Sequence, residues 1–282
     1  MNRAEGIDVA SLGTRLGQFA HAQLLAAEAH LASEGEARHK GVHEARKCLR
    51  RTRAILALGG RALGSSTKRL DSEIGRLCRG LSPLRDAQAL VEAIGRLDVK
   101  ELEAPALLAR AVKSALESRD NSLTTALARD VDFAARRERL QRAAARLATL
   151  DWSTITRADV QHAFARSKRR MKKAARQAKR CQLNDEAWHR FRRRLRRLRQ
   201  QNNVLAEIEP QLAHGVDAWK EQAIALGQSQ DDALLLARCG KRSPFSVTLR
   251  AQLRVLAKRK LDQTRQYHSL TSKIKPTHSS HK

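Results

Sequence analysis

Residues His43 to Arg53 read His-Glu-Ala-Arg-Lys-Cys-Leu-Arg-Arg-Thr-Arg, and His189 to Arg199 read His-Arg-Phe-Arg-Arg-Arg-Leu-Arg-Arg-Leu-Arg. Both fit one ungapped pattern. A histidine is followed by arginines at +3, +7, +8 and +10, with a further cation at +4. Guanidinium groups stay charged and present a planar fork that grips oxyanions through two hydrogen bonds, whereas an ammonium acts as a point charge. The pattern therefore selects binding of an anion with many oxygens. The residues that would carry it are His43, Arg46, Lys47, Arg50, Arg51 and Arg53, with His189, Arg192, Arg193, Arg196, Arg197 and Arg199. No carboxylate cluster, nucleophile motif or metal-ligand spacing accompanies them, so no catalytic residue, metal or cofactor is expected.

Helix geometry sharpens the reading. At about 100° per residue, His43, Arg46, Arg50 and Arg53 share a sector of about 80°. This spacing ordinarily marks a buried apolar stripe. His189, Arg192, Arg196 and Arg199 repeat it, and Lys47, Arg51, Arg193 and Arg197 widen its edges. Like charges at i, i+4 repel by a few tenths of a kcal/mol, on the order of 0.2–0.5 each. A cationic stripe is thus mildly self-destabilising until anions fill it. Two such helices in one chain point to a polyanion held between them.

The elements that must position these stripes read almost entirely as helix, because Ala, Leu, Arg, Gln and Glu dominate and alternating β-branched runs are lacking. A first helix is expected from an Asp8 cap to about Ser33. A turn around Gly35 and Gly41 precedes the first motif helix, which ends near Gly59-Gly60. Lys68 to Arg79 form a third helix closed by Gly80. Ser82-Pro83 opens a fourth, with serine as N-cap and proline at the first helical position. Further helices are expected over about 103–129 and 131–149. Leu150 to Ile155 reads as the boundary, and Thr156 with Asp159 as a capping box that starts the next helix. That helix carries Arg166, Lys168, Arg169, Arg170, Lys172 and Lys173, of which Arg166, Arg169 and Arg170 join the candidate binding set. The second motif helix runs from about Asp185 to Glu209, and Pro210 stops it.

A second correspondence supports duplication. Leu81 to Leu90, containing Asp86, resembles Leu226 to Leu235, containing Asp231, at nearly the same distance beyond each motif. The expected unit is a basic helix, an antiparallel return helix, a tight turn and an acidic helix start. Asp86 and Asp231 would then complement the dipoles of the helices they begin. The fold class is all-α: two fused antiparallel helical bundles with an internal pseudo-two-fold repeat. The expected boundaries are 8–149 for the first bundle and 156–267 for the second, with flexible termini at 1–7 and 271–282.

Composition narrows the partner. The chain has 282 residues, 56 Lys plus Arg against 29 Asp plus Glu, and a formal charge of +27. That excess favours an anionic polymer or an anionic membrane surface. A hydrophobic fraction of 41% supports a folded core. No run of about 20 apolar residues occurs, so no transmembrane helix is expected. The N-terminus lacks a signal-peptide hydrophobic region, and the four cysteines, Cys48, Cys78, Cys181 and Cys239, form no CxxC, which fits a reducing cytosol and small core residues. Aromatic residues are only 3% of the chain. Binders of single-stranded nucleic acid stack bases on aromatic side chains, so phosphate rather than base is the expected ligand group.

Taken together, Val42-His43-x-x-Arg46-x-x-x-Arg50-Arg51-x-Arg53, Trp188-His189-x-x-Arg192-Arg193, the Leu-x-x-x-Arg-Asp turn ending at Asp86, and Phe164 to Met171 resemble the CHAD family, the conserved histidine α-helical domain. The likeness covers roughly residues 8 to 265, as one CHAD domain. Cys48, Thr52 and Ser82 depart from the family pattern, while the cationic positions are kept. The resemblance implies a bilobal helical fold with a basic central channel that binds inorganic polyphosphate, and association with polyphosphate granules. The residues named above would line that channel. His43 and His189 would each donate a hydrogen bond to phosphate, which favours the protonated ring while nearby arginines disfavour it. The alternative for them is a neutral histidine that orients a neighbour. On this reading the protein is a cytoplasmic, non-enzymatic polyphosphate binder. The alternative is a helical protein that binds the DNA or RNA backbone, and an enzyme of phosphate metabolism finds no supporting residue set.

Overall fold

Leu16, Ala20, Leu24, Ala27 and Leu31 recur at helical intervals and are all buried, so the first apolar stripe of the chain becomes the inner face of α1 (Leu12–Leu31). The computed structural model describes residues 10–60, 62–97, 105–181, 184–215, 217, 219–240 and 243–270. Among these the chain is all-α, with no strand. After α1 come α2 (Ala37–Gly59), α3 (Ser66–Gly80), α4 (Ser82–Gly95), α5 (Pro105–Arg129), α6 (Ala134–Ala148), α7 (Arg157–Arg180), α8 (Asp185–Ile208), α9 (Lys220–Arg238) and α10 (Val247–Leu270).

Several boundaries fall where the sequence puts them, and others move for local reasons. The cap of α1 is Ser11, whose hydroxyl accepts from the Thr14 N–H at 3.2 Å. Asp8 lies outside the described residues, as do the terminal segments 1–7 and 271–282. Gly35 sits at φ 53 in the expected turn, but Gly41 is inside α2. A Cβ on Gly41 would meet the His30 carbonyl oxygen at 2.2 Å, so this glycine permits close helix contact rather than a turn. Thr156 and Asp159 form the expected capping box. The Asp159 carboxylate accepts from the Thr156 N–H at 3.1 Å, and the Thr156 hydroxyl accepts from the Asp159 N–H at 3.1 Å. The Thr156 hydroxyl, which donates to the same carboxylate at 2.6 Å, and then the Thr156 N–H hold the Asp159 carboxyl below its ordinary value.

The chain divides into two compact units. Met1–Arg85, Thr124–Arg170 and Arg196–Ala218 form the first, and Asp86–Leu123, Met171–Leu195 and Trp219–Lys282 the second. Each unit thus draws on three stretches, unlike sequential halves at 8–149 and 156–267. Trp152 gives one reason. In place of a linker, Trp152–Thr154 is a short 3-10 turn packed on α1. Its indole is buried against Gly17, where a Cβ would come within 2.6 Å of the ring. The indole N–H donates to the Leu147 carbonyl at 3.0 Å. The segment after α6 therefore belongs to the core that α1 began.

In the first unit α1 packs on α2 and α6, and α3 packs on α2 and α6. The second unit has its own core. Leu90, Ile94 and Leu97 of α4 and its end meet Ala111 and Ala115 of α5, Leu235 and Cys239 from the end of α9, and Phe245, Leu249 and Leu253 of α10 and its approach. Burying each large apolar side chain contributes about 1.5–3 kcal/mol. Cys48, Cys78 and Cys239 are small buried residues, as expected, and Cys181 is half-buried.

One proposed part of the duplication does not extend to secondary structure. Leu226 to Leu235 lies within α9, so Asp231 is mid-helix and starts nothing. Asp231 and the buried Asp232 instead face Arg96, at 3.6 and 3.8 Å. Burial pushes the Asp232 carboxyl up, against the pull of Arg96 and Lys260.

Candidate functional site

The first motif lies wholly on α2, and its cations are not equivalent. Arg53 is locked onto α3: its Nε and Nη2 donate to the two oxygens of Asp71 at 2.8 and 2.9 Å. That fork raises the Arg53 pKa above its ordinary value. A Cβ on Gly75 would come within 3.2 Å of the guanidinium, so the glycine leaves room for it. Arg46 reaches the junction of α3 and α4. It donates to the Cys78 carbonyl and, at 2.8 Å, to the Ser82 hydroxyl. Ser82 is thereby a ligand of a motif arginine. Arg51 donates to Gln23 of α1 at 3.4 Å, and Lys47 pairs with Glu44 at 3.1 Å. The Thr52 hydroxyl donates to the Cys48 carbonyl at 3.2 Å, which satisfies its polar group inside the buried face. His43 and Arg50 are half-buried on the same helix.

The second motif is shared between the units. His189, Arg192 and Arg193 belong to the second, while Arg196, Arg197 and Arg199 belong to the first, with the whole of the first motif. Within the first unit, α8 meets α2 directly. The Gln201 side-chain amide, fully buried, donates to the Ala54 carbonyl at 3.1 Å. This bond joins the two motif helices just past Arg53 on one and Arg199 on the other. Arg166, Arg169 and Arg170 also lie in this unit, on α7. Gly60, just past α2, has φ 56 in the left-handed region, and a Cβ there would stand 3.2 Å from Arg166. Arg166 is half-buried and Arg169 and Arg170 are exposed. The first unit thus collects His43, Arg46, Lys47, Arg50, Arg51, Arg53, Arg166, Arg169, Arg170, Arg196, Arg197 and Arg199 on three helices.

In the second unit, His189 Nδ1 donates to Gln230 of α9 at 2.7 Å. A histidine that orients a neighbour would make such a contact. Arg193 pairs with Glu186 at 3.2 Å on an exposed face, a pair of small energetic consequence.

Sequence reasoning missed the amides. Leu195, Leu198, Asn202 and Leu205 follow an apolar helical spacing, and Asn202 is as buried as the leucines around it. A polar residue in a core phase is the signal that was there to read. Asn202 holds the chain after α8, accepting from the His214 N–H and donating to the Gly215 carbonyl, each at 2.7 Å. Arg15 was missed as well. It donates to the Ile208 carbonyl and pairs with Glu209 at 2.6 Å, and Arg157 approaches the same carboxylate at 3.3 Å.

Chemically, the first unit offers several guanidinium groups on adjacent helices, some fixed by protein acceptors. Among the described residues no group of three or more His, Cys, Asp or Glu could hold a metal ion, and no helix is long and apolar enough to cross a membrane.

Comparison with known proteins gives the fold a name. No curated protein matches the sequence. PptA from Streptomyces chartreusis has a similar structure, with TM-score 0.65 and 20% identity, covering 94% of this chain and 100% of that one. The CHAD domain from the plant Ricinus communis is similar with TM-score 0.57 and 19% identity, covering 98% of this chain and 92% of that one. At such identities these likenesses establish the fold alone. The CHAD domain profile matches residues 16–240 of the sequence. That span includes both His-Arg motifs, α2 to α9 whole and most of α1, so the chain belongs to the CHAD domain family, of which polyphosphate binding is a known property.

Proposed function

We propose that this protein binds inorganic polyphosphate in a basic channel lined by the two motif helices and α7. The observation that carries the reading is the Gln201–Ala54 bond, which joins α2 and α8 beside the C-terminal ends of their arginine stripes. Polyphosphate carries about one charge per phosphate and no bases, so it asks only for a regular cationic track. Arg50, Arg166, Arg196, Arg197 and Arg199 are among the phosphate contacts. Arg46 and Arg53 also serve the frame, through Ser82, the Cys78 carbonyl and Asp71. His189, in hydrogen-bond contact with Gln230, is the second unit's own candidate phosphate contact. The protein acts without catalysis, in the cytoplasm, at polyphosphate granules.

The test is a titration of the full chain with polyphosphate of defined length at physiological salt, with duplex DNA or RNA at equal phosphate concentration as competitor. Binding that survives the competitor supports the reading. Ready displacement by nucleic acid overturns it in favour of a nucleic-acid backbone binder. Phosphate release during the incubation would overturn the non-enzymatic part.

A further inference from the structure

The first unit holds a small pocket on another side of α7 from its arginines. It measures about 250 Å³ and is walled by Val160 and Phe164 of α7, Leu205 of α8 and Leu212 beyond it, with Lys168 and His214 at its polar side. At about 100° per residue, the lining positions of α7 centre roughly 140–180° from the mean direction of Arg166, Arg169 and Arg170. The pocket is therefore separate from the cationic face assigned to polyphosphate.

Its polar side is built. The His214 backbone is pinned by the buried Asn202, and its ring lies 5.5 Å from that of Phe164. Lys168 Nζ stands 3.3 Å from His214 Nε2. Burial, and then the charge of Lys168, push the His214 pKa down, so at neutral pH the ring is an uncharged acceptor for the ammonium. An ammonium has three N–H donors, and this contact uses one. Among the described residues no carboxylate pairs with Lys168. Gln161 and Gln211 complete the lining, so the cavity has a polar side as well as an apolar wall, and a cation beside that wall favours an anion that brings its own apolar body. The volume lies below the roughly 300–1,000 Å³ of sites for drug-sized ligands.

We propose that this pocket binds a small organic monocarboxylate, with its apolar part against Phe164, Leu205 and Leu212 and its carboxylate on Lys168 Nζ. Polyphosphate, having no apolar part, gains nothing from these walls. The inference therefore stands apart from the polyphosphate reading.

The probe is benzoate, titrated into the full chain by calorimetry, with the His214 ring signals followed by NMR. Saturable binding that shifts His214 is expected. Lys168→Met should weaken it about tenfold or more, the loss of a charge-assisted hydrogen bond. Ala165→Phe, which fills the cavity from its wall, should abolish it. Lys173→Met, at an exposed position of the same helix, should leave it unchanged. Each variant is also titrated with polyphosphate. Retained polyphosphate binding shows a folded chain and separates a failure here from a failure of the proposed function. The inference is overturned if benzoate shows no saturable binding, if benzyl alcohol binds as well as benzoate, or if Lys173→Met weakens benzoate as much as Lys168→Met.

Discussion

The Gln201 amide donates to the Ala54 carbonyl across 147 residues of sequence, at 3.1 Å and fully buried, while its Oε1 meets no partner among the described residues. Ala54 lies within α2, where its carbonyl already serves the helix ladder. The bond is therefore an added tie between motif helices. Removing the whole amide without opening a void should be tolerated, because it also removes a buried unpaired acceptor. Gln201→Met is expected to change stability by less than about 1 kcal/mol, whereas Gln201→Ala, which leaves a cavity, should cost about 2–3 kcal/mol. Urea unfolding midpoints check this, and equal losses in both variants would mean that the hydrogen bond, not the volume, matters.

Arg53 belongs to the same stripe as Arg50 but is committed to Asp71. Arg53→Lys keeps the charge and loses the fork, so it should cost about 1–3 kcal/mol of stability while leaving polyphosphate affinity nearly unchanged. Denaturation and titration of one variant read both. A large loss of affinity with intact stability would return Arg53 to the ligand.

Arg50→Ala with Arg196→Ala should weaken polyphosphate binding far more than Lys273→Ala with Lys275→Ala, which lie outside the described residues. The slope of affinity against salt should also fall by about one to two in the arginine pair, by analogy with phosphate contacts in nucleic acids. Equal losses in the two pairs would mean that total charge, rather than a defined track, drives binding.

His214 is held below its ordinary value of 6.5, first by burial and then by Lys168. As pH falls, the unfolded chain takes up this proton before the folded one. The linked stability is therefore fully present above about 6.5 and is lost as pH falls through the lower folded midpoint. Lys168→Met should raise the midpoint only partway, since burial remains. An NMR titration of the ring decides, and a wild-type midpoint above 6.5 would refute the assignment.

Gly13 and Gly17 let Trp152 lie on α1. A Cβ at Gly13 would stand 1.9 Å from the Trp152 carbonyl oxygen, a backbone atom that cannot swing aside. Gly13→Ala should lower stability by about 1–3 kcal/mol or more through overpacking. Thermal unfolding followed by far-UV circular dichroism tests it.

Much was legible in the sequence because it is local. Helix periods, the Thr156–Asp159 capping box and the stop at Pro210 depend on neighbours within a turn or two, so α3, α7 and α8 lie close to where they were expected. The two arginine stripes are likewise a property of spacing alone. Which stripe residues are held by the protein itself was not legible. Asp71 and Ser82 reach Arg53 and Arg46 only once α3 and α4 fold back on α2. The turn expected near Asp231 dissolved into α9 because local resemblance does not break a helix whose apolar face stays buried. Trp152 looked like a linker residue for the converse reason: its partners, Gly13 and Gly17, are far away in sequence. The sequence by itself determined the helices and the excess of positive charge. Only tertiary packing decided which arginines are spent on the frame, because that depends on acceptors brought in from distant helices.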